Sequence, residues 1–193
     1  LSVINKEHKF ENEELNKIDF NNNKVILLTA HRRENWGEPM KNIFAAVREV
    51  AEQNKDVQII FPMHKNPLIR DLARESFKGI EHKVALIEPL EYVDFANLMN
   101  KCYLIMTDSG GIQEEAPALG KPVVVLRTET ERPEAVKAGT VKLAGIERNK
   151  IFEITNELVI DDLEYHKMAH AINPYGDGKA CERIVELIVK HFE

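Results

Sequence analysis

Two clusters of this 193-residue sequence hold residue types that do chemistry at useful spacing. The first is "TDSGGIQEE", residues 107–115, between two apolar runs. A helix that begins near Ser109–Gly111 presents unpaired N–H groups and the positive end of its dipole. Two glycines let the backbone approach an anion, and the Ser109 hydroxyl adds a donor. That is a phosphate or diphosphate cradle. Glu115 falls four residues after Gly111, one helical turn along on the same side. A carboxylate there repels phosphate but accepts hydrogen bonds from ribose hydroxyls, so the pair points to a nucleotide. The bland alternative is a strand–turn–helix connection in which Ser109 caps the helix and the glutamates complement its dipole. Both readings stay open on the pattern alone. The run is neither the G-x-G-x-x-G fingerprint nor a P-loop.

The second cluster is "HRRENWG", residues 31–37, directly after another apolar run. Arg32 and Arg33 suit bidentate contacts with phosphate or carboxylate. His31 can stabilise a leaving phosphate or shuttle a proton. The alternative is a solvated charge run. Arg132, in "TETERPEAV", offers a further cation, or a plain surface residue before a helix that Pro133 starts. His64 and Lys65 in "FPMHKNP" read first as loop residues, the histidine as a structural hydrogen-bonding group. "NPYGDGKA", residues 173–180, is a turn-rich connector or hinge. No G-x-S-x-G elbow makes Ser109 a nucleophile. The histidines are scattered and the two cysteines unpaired, so no metal site is expected.

The elements that must position these clusters are legible. Short apolar runs at 24–30, 57–61, 83–88, 103–107, 122–126 and 140–144 read as strands buried on both faces. Helical patterns alternate with them: one from Pro39, then 67–77, 91–100, 111–119, 132–138, 147–159, 162–170 and 179–192. In the first, Met40, Ile43, Phe44, Val47, Val50 and Ala51 recur on one face. Alternating strands and helices predict βαβ units with right-handed crossovers. The fold class is therefore α/β: a doubly wound, Rossmann-like domain with a mostly parallel sheet of about six strands. Its polar clusters follow strands one, two, four and five and should converge on one rim. The polar start, "NKEHKFENEELNK", predicts an exposed short helix or the tail of a linker.

Totals narrow the function classes. The apolar fraction is 44% and the charged fraction 30%, ordinary for a domain with a real core. Net charge is −6, which argues against nucleic acid or a bilayer as the main partner. Two cysteines give no disulfide framework and fit a reducing, cytoplasmic setting. No run approaches the ~20 apolar residues of a membrane span. The sequence starts at Leu1 and reads as a fragment or a processed product.

"TAHRREN", "DSGGIQEEAPALGKPVVVLR", "TERPEAVKAGTVKLAG" and "NPYGDGKAC" occur in this order and spacing. Together they resemble the non-hydrolysing UDP-N-acetylglucosamine 2-epimerases, over nearly the whole chain from Lys24. The resemblance implies one half of a GT-B fold, the C-terminal, UDP-holding domain. It divides the chain into a linker or edge of a preceding domain (1–23), the UDP-binding domain (24–178) and a C-terminal helix (179–193) directed at the N-terminal domain. It implies interconversion of UDP-GlcNAc and UDP-ManNAc by elimination and re-addition of UDP through a 2-acetamidoglucal, with no cofactor. Ser109, Gly110 and Gly111 match the diphosphate cradle, and Glu115 the ribose carboxylate. Arg132 and His31 match residues near the diphosphate and the reacting centre, which makes His31 the catalytic candidate on this chain. Phe95 and the Leu90 backbone match the uracil contacts; many relatives carry Gln where this chain has Leu90. Arg32 and His64 match residues that touch a regulatory UDP-GlcNAc in some bacterial members. The main acid–base carboxylates of the family belong to the N-terminal domain. Expected partners are thus UDP, UDP-GlcNAc, that domain and a second copy of the full-length enzyme. The competing readings are a GT-B glycosyltransferase, a non-catalytic nucleotide-sugar-binding module and a hydrolysing epimerase.

Overall fold

Strand β1 (Lys24–Thr29) is apolar from Val25 to Leu28, and both of its faces are covered. Ile26 and Leu28 point into one core layer, Val25 and Leu27 into the other. This period of two on a doubly covered strand explains why the run shows no polar alternation. The protein, seen as a computed structural model that describes residues 3–176 and 178–192, builds its sheet around this strand.

The strands are β1, β2 (Val57–Pro62), β3 (Val84–Ile87), β4 (Leu104–Thr107), β5 (Val123–Val125) and β6 (Val141–Leu143). They form one sheet in the order β3-β2-β1-β4-β5-β6, and every pairing is parallel. The helices are α1 (Glu38–Gln53), α2 (Pro67–Ser76), α3 (Tyr92–Lys101), α4 (Gly110–Ala118), α5 (Pro133–Ala138), α6 (Arg148–Ile160), α7 (Asp162–Ala169) and α8 (Ala180–Phe192). The expected Rossmann-like domain is what forms, and its sheet is fully parallel.

Helix α1 buries the face read from its spacing: Met40, Ile43, Phe44, Val47, Val50 and Ala51 are all inaccessible to solvent. Phe44 packs between Phe61 of β2 and Phe77 beyond α2, with ring centroids 5.4 and 5.2 Å away. Each such side chain contributes about 1.5–3 kcal/mol by leaving water. The opposite layer holds Leu98 and Met99 of α3 and Ile112 of α4 against Val25, Leu27 and Ile105.

That second layer corrects one expectation. The N-terminal segment is not an exposed tail: Phe10 and Leu15 are buried in it. The Asn97 side chain accepts from the Asn5 N–H (2.8 Å) and donates to the Val3 carbonyl (2.9 Å). Asp94 accepts from the Glu11 N–H (3.0 Å) and meets His8 Nε2 at 2.6 Å. The apolar residues here are sparse among charges and follow no period, so the sequence hides their burial.

Candidate functional site

The chain runs β1 to β2 to β3 on one side of β1, then crosses to β4 on the other. Sheet order therefore reverses between β1 and β4, where ligands of open parallel sheets bind, beyond the strand ends. Thr29 and Thr107 are register partners at these ends, and their buried hydroxyls lie 2.6 Å apart. Everything past them belongs to the rim.

Asp108 follows β4 and is entirely buried. Its Oδ2 accepts from the backbone N–H of His31 (2.9 Å), that of Arg32 (2.9 Å) and the Asn35 amide (3.1 Å). Asn35 also donates to the Leu126 carbonyl at 3.2 Å. One carboxylate thus clamps the loop after β1 to the end of β4, and its asparagine to β5. His31 Nδ1 stands 3.2 Å from Asp108 Oδ1. The Asp108 contact holds the imidazole above its ordinary value, against the opposing effects of burial and the Arg32 charge. Burial pushes the Asp108 carboxyl up; His31 and the two backbone donors outweigh that and hold it below the usual range.

Ser109 stands at the N-cap of α4, yet its side chain makes no capping bond. The cap reading of this serine therefore loses its main support. Its N–H donates to Thr107 Oγ1 (3.0 Å). A Cβ built on Gly110 or Gly111 would approach only side-chain tips, at 3.9–4.0 Å, and neither glycine has positive φ. Neither backbone geometry nor internal packing requires glycine at these two positions. Their bareness leaves the first turn of α4 open to whatever approaches from outside.

The loop after β5 is tied to this turn. Gln113, buried, donates to the Ser109 carbonyl (3.1 Å) and accepts from Thr130 Oγ1 (2.6 Å), which accepts from the Arg132 N–H (3.1 Å). The Arg132 guanidinium pairs through Nε with Glu114 and donates to the Glu131 carbonyl. Glu114, one of the glutamates that the capping alternative gave to the helix dipole, pairs with and orients Arg132. Glu131 is bound by Arg127 at 2.5 Å, which holds its carboxyl down at about 2. Arg127 also meets Glu34 at 2.9 Å, and Arg32 lies 3.6 Å from Glu131. Charge alternation thus stitches the loops after β1 and β5 together.

Beside this corner lies an open, mostly apolar cleft of about 410 Å³, lined by His31, His64, Leu90, Phe95 and Ile112 among others. The His31 and His64 rings stack with centroids 6.2 Å apart. Glu115 lies on another flank of α4, exposed, where the Tyr92 hydroxyl donates to it at 3.4 Å. Tyr175, from the "NPYGDGKA" connector, lines a separate recess with Glu114 and Glu115, and burial pushes its phenol up to about 12. Asp177 of that connector lies outside the described residues.

The structure therefore gathers the sequence-derived candidates around the first turn of α4. His31, His64, Leu90 and Phe95 share the cleft; Arg32 and Arg132 flank the turn; Glu115 sits one turn along and apart from the cleft. Sequence reasoning missed Asp108, Gln113, Glu114, Thr130, Ile112 and Tyr92. Of these, Asp108 carried a signal: an ionisable residue directly after a buried strand needs partners.

A doubly wound parallel sheet with a bare helix start at its switch point defines a Rossmann-like domain, the fold of one half of a GT-B protein. The chain belongs to the UDP-N-acetylglucosamine 2-epimerase family, whose sequence model matches residues 2–189. It is 55% identical over 169 residues to UDP-N-acetylglucosamine 2-epimerase of Bacillus subtilis, covering 88% of this chain and 45% of that protein. It is 50% identical to the Escherichia coli K12 enzyme of the same name over 165 residues, 86% of this chain and 44% of that protein. Among solved structures, the UDP complex of Staphylococcus aureus MnaA superposes with a TM-score of 0.89 at 47% identity, over 98% of this chain and 51% of that one. The Neisseria meningitidis UDP-GlcNAc 2-epimerase bound to UDP-GlcNAc gives 0.81 at 51% identity, over 88% and 45%. The chain spans about half the length of the relatives it matches.

Proposed function

We propose that this chain is the UDP-binding half of an enzyme that interconverts UDP-N-acetylglucosamine and UDP-N-acetylmannosamine by eliminating and re-adding UDP. The observation that carries the reading is the first turn of α4: uncapped by Ser109, bare at Gly110 and Gly111, and flanked by His31, Arg32 and Arg132. In it, the helix N–H groups and Ser109 receive the diphosphate and Arg132 supplies positive charge. Glu115 accepts from the ribose hydroxyls. The uracil enters the apolar cleft at Phe95, against the Leu90 backbone. His31, on the rim beside this turn, is the catalytic candidate of this chain, meeting the departing diphosphate as it gathers charge. Arg32 and His64, on the same rim, could receive a second UDP-GlcNAc.

Elimination also needs acid–base groups at C2 and C3 of the sugar. The family resemblance assigns them to an N-terminal domain, and the matched relatives are twice as long as this chain. Helix α8 supports the same division: it carries no buried residue among those described, which leaves its apolar stripe for that domain. The dimer is assigned to the complete enzyme.

The test is turnover of UDP-GlcNAc without any acceptor sugar. The 193-residue chain alone is expected to give no UDP-ManNAc, whereas the full-length protein gives it. Turnover by the chain alone would contradict the division of labour. Inert full-length protein that transfers GlcNAc once an acceptor is supplied would favour the glycosyltransferase reading.

A further inference from the structure

We propose that Asp108 is a positioning residue for His31: from the buried end of β4 it fixes the ring's Nδ1–H and favours the charged imidazolium, so that His31 meets the diphosphate as a donor. The inference rests on the reading of this rim as a diphosphate site.

A carboxylate has about four acceptor positions. Asp108 Oδ2 is supplied by His31 N–H, Arg32 N–H and Asn35. Oδ1 is buried and has no aligned hydrogen bond among the described residues; His31 Nδ1, 3.2 Å away, is its near neighbour. Neutral donors reduce the cost of burying the carboxylate, and a nearby cation offsets its charge. His31 can supply that cation because its backbone N–H is bound by Oδ2 and its ring nitrogen Nδ1 stands at ion-pair distance, 3.2 Å, from Oδ1. The other charged and titratable groups around the ring do not replace Asp108. Arg32 is the next residue and opposes imidazole protonation, but its guanidinium lies 3.6 Å from Glu131. His64 stacks on the ring from the loop after β2, and Lys65 lines the same cleft. Leu90, Phe95 and Ile112 line the same cleft with apolar groups.

Chemistry follows from the tautomer. With Nδ1 facing Asp108 Oδ1 and its proton held there, as proposed, Nε2 is the nitrogen left for the cleft. Neutral, it is an acceptor and could act as a base. Charged, it is an N–H donor to phosphate oxygen. Asp108 biases the ring toward the second state, which assigns His31 to the leaving diphosphate and not to proton abstraction from carbon. An asparagine at 108 keeps the carboxylate's shape and can still accept from the two backbone N–H groups. Its amide then faces Nδ1 with a donor, which removes the negative charge and turns the neutral ring to the Nε2–H form.

Long-range proton–nitrogen spectra of the labelled chain read the titration and tautomer of His31, in the parent and in Asp108→Asn, with UDP titrations at two pH values. The parent ring should titrate above its ordinary value of 6.5 and carry its neutral proton on Nδ1. In Asp108→Asn the titration should move down, because the carboxylate that raises it is gone. UDP affinity should then drop about tenfold near pH 7.5 and recover to within about twofold near pH 5.5, where both rings are charged. A parent ring that titrates at or below 6.5, or is protonated on Nε2 when neutral, overturns the proposal even if the variant fails to fold. An affinity loss of equal size at both pH values overturns it too, since a purely structural role predicts that result. Absence of UDP binding by the parent overturns the diphosphate reading, while the ring's titration and tautomer decide the Asp108 claim separately.

Discussion

Helices α1 and α8 carry similar sequence patterns and meet opposite fates. Both are one-sided, with apolar residues recurring at three and four. Helix α1 buries seven residues against the sheet and α6. Helix α8 buries none among its described residues: Leu187 is 67% exposed and Phe192 83%. An apolar stripe specifies that a face wants a partner and says nothing of where the partner is. For α1 the partner is the sheet next to it in the chain. For α8, in a chain half as long as its relatives, the proposed partner is the remaining domain.

Stability measurements sharpen this contrast, and the largest expected effect lies under α1. Phe44→Ala removes a fully buried ring between Phe61 and Phe77 and should lower unfolding free energy by about 3–5 kcal/mol in urea titration. Leu187→Ala in α8 should change it by less than about 0.5 kcal/mol. A loss at Leu187 comparable to that at Phe44 would mean that α8 packs on this domain after all.

Between these extremes lies the His31–Asp108 pair. The raised imidazole contributes stability that is complete below 6.5 and fades as pH rises through its folded-state value. The lowered Asp108 contributes stability present above 3.8 and lost as pH falls through its folded-state value. Together they help most between about pH 4 and pH 6.5. The stability gap between the parent and His31→Gln should therefore be widest in that window and narrow on both sides. Since the ring is about half exposed, solvent screening keeps the gap under about 1 kcal/mol. A gap independent of pH would show that the ring acts by packing alone.

The fold was legible because parallel, doubly covered strands announce themselves as unbroken apolar runs with polar residues at one end. The rim could be placed for the same reason, since the loops after β1, β2, β4 and β5 must share an edge. What stayed hidden depends on side chains that meet across loops. Glu114 and Arg132 are 18 positions apart, and the relay from Ser109 through Gln113 and Thr130 spans two loops. Neither follows a period. Burial of Phe10 and Leu15 was hidden similarly, by charges that surround them in sequence and face away in space. Glycines 110 and 111 show the reverse: the sequence suggested an open cradle, and the absence of any backbone or packing requirement for them strengthens that reading.

The central claim, that the first turn of α4 holds the diphosphate of UDP, is tested most directly by calorimetric titration of UDP into this chain. The account predicts that UDP binds at this turn. Arg132→Ala should weaken it by about ten- to a hundredfold through loss of a charged hydrogen bond. Gly111→Val should remove binding while the fold survives. Undiminished affinity in both variants, or no binding by the parent chain, would contradict it.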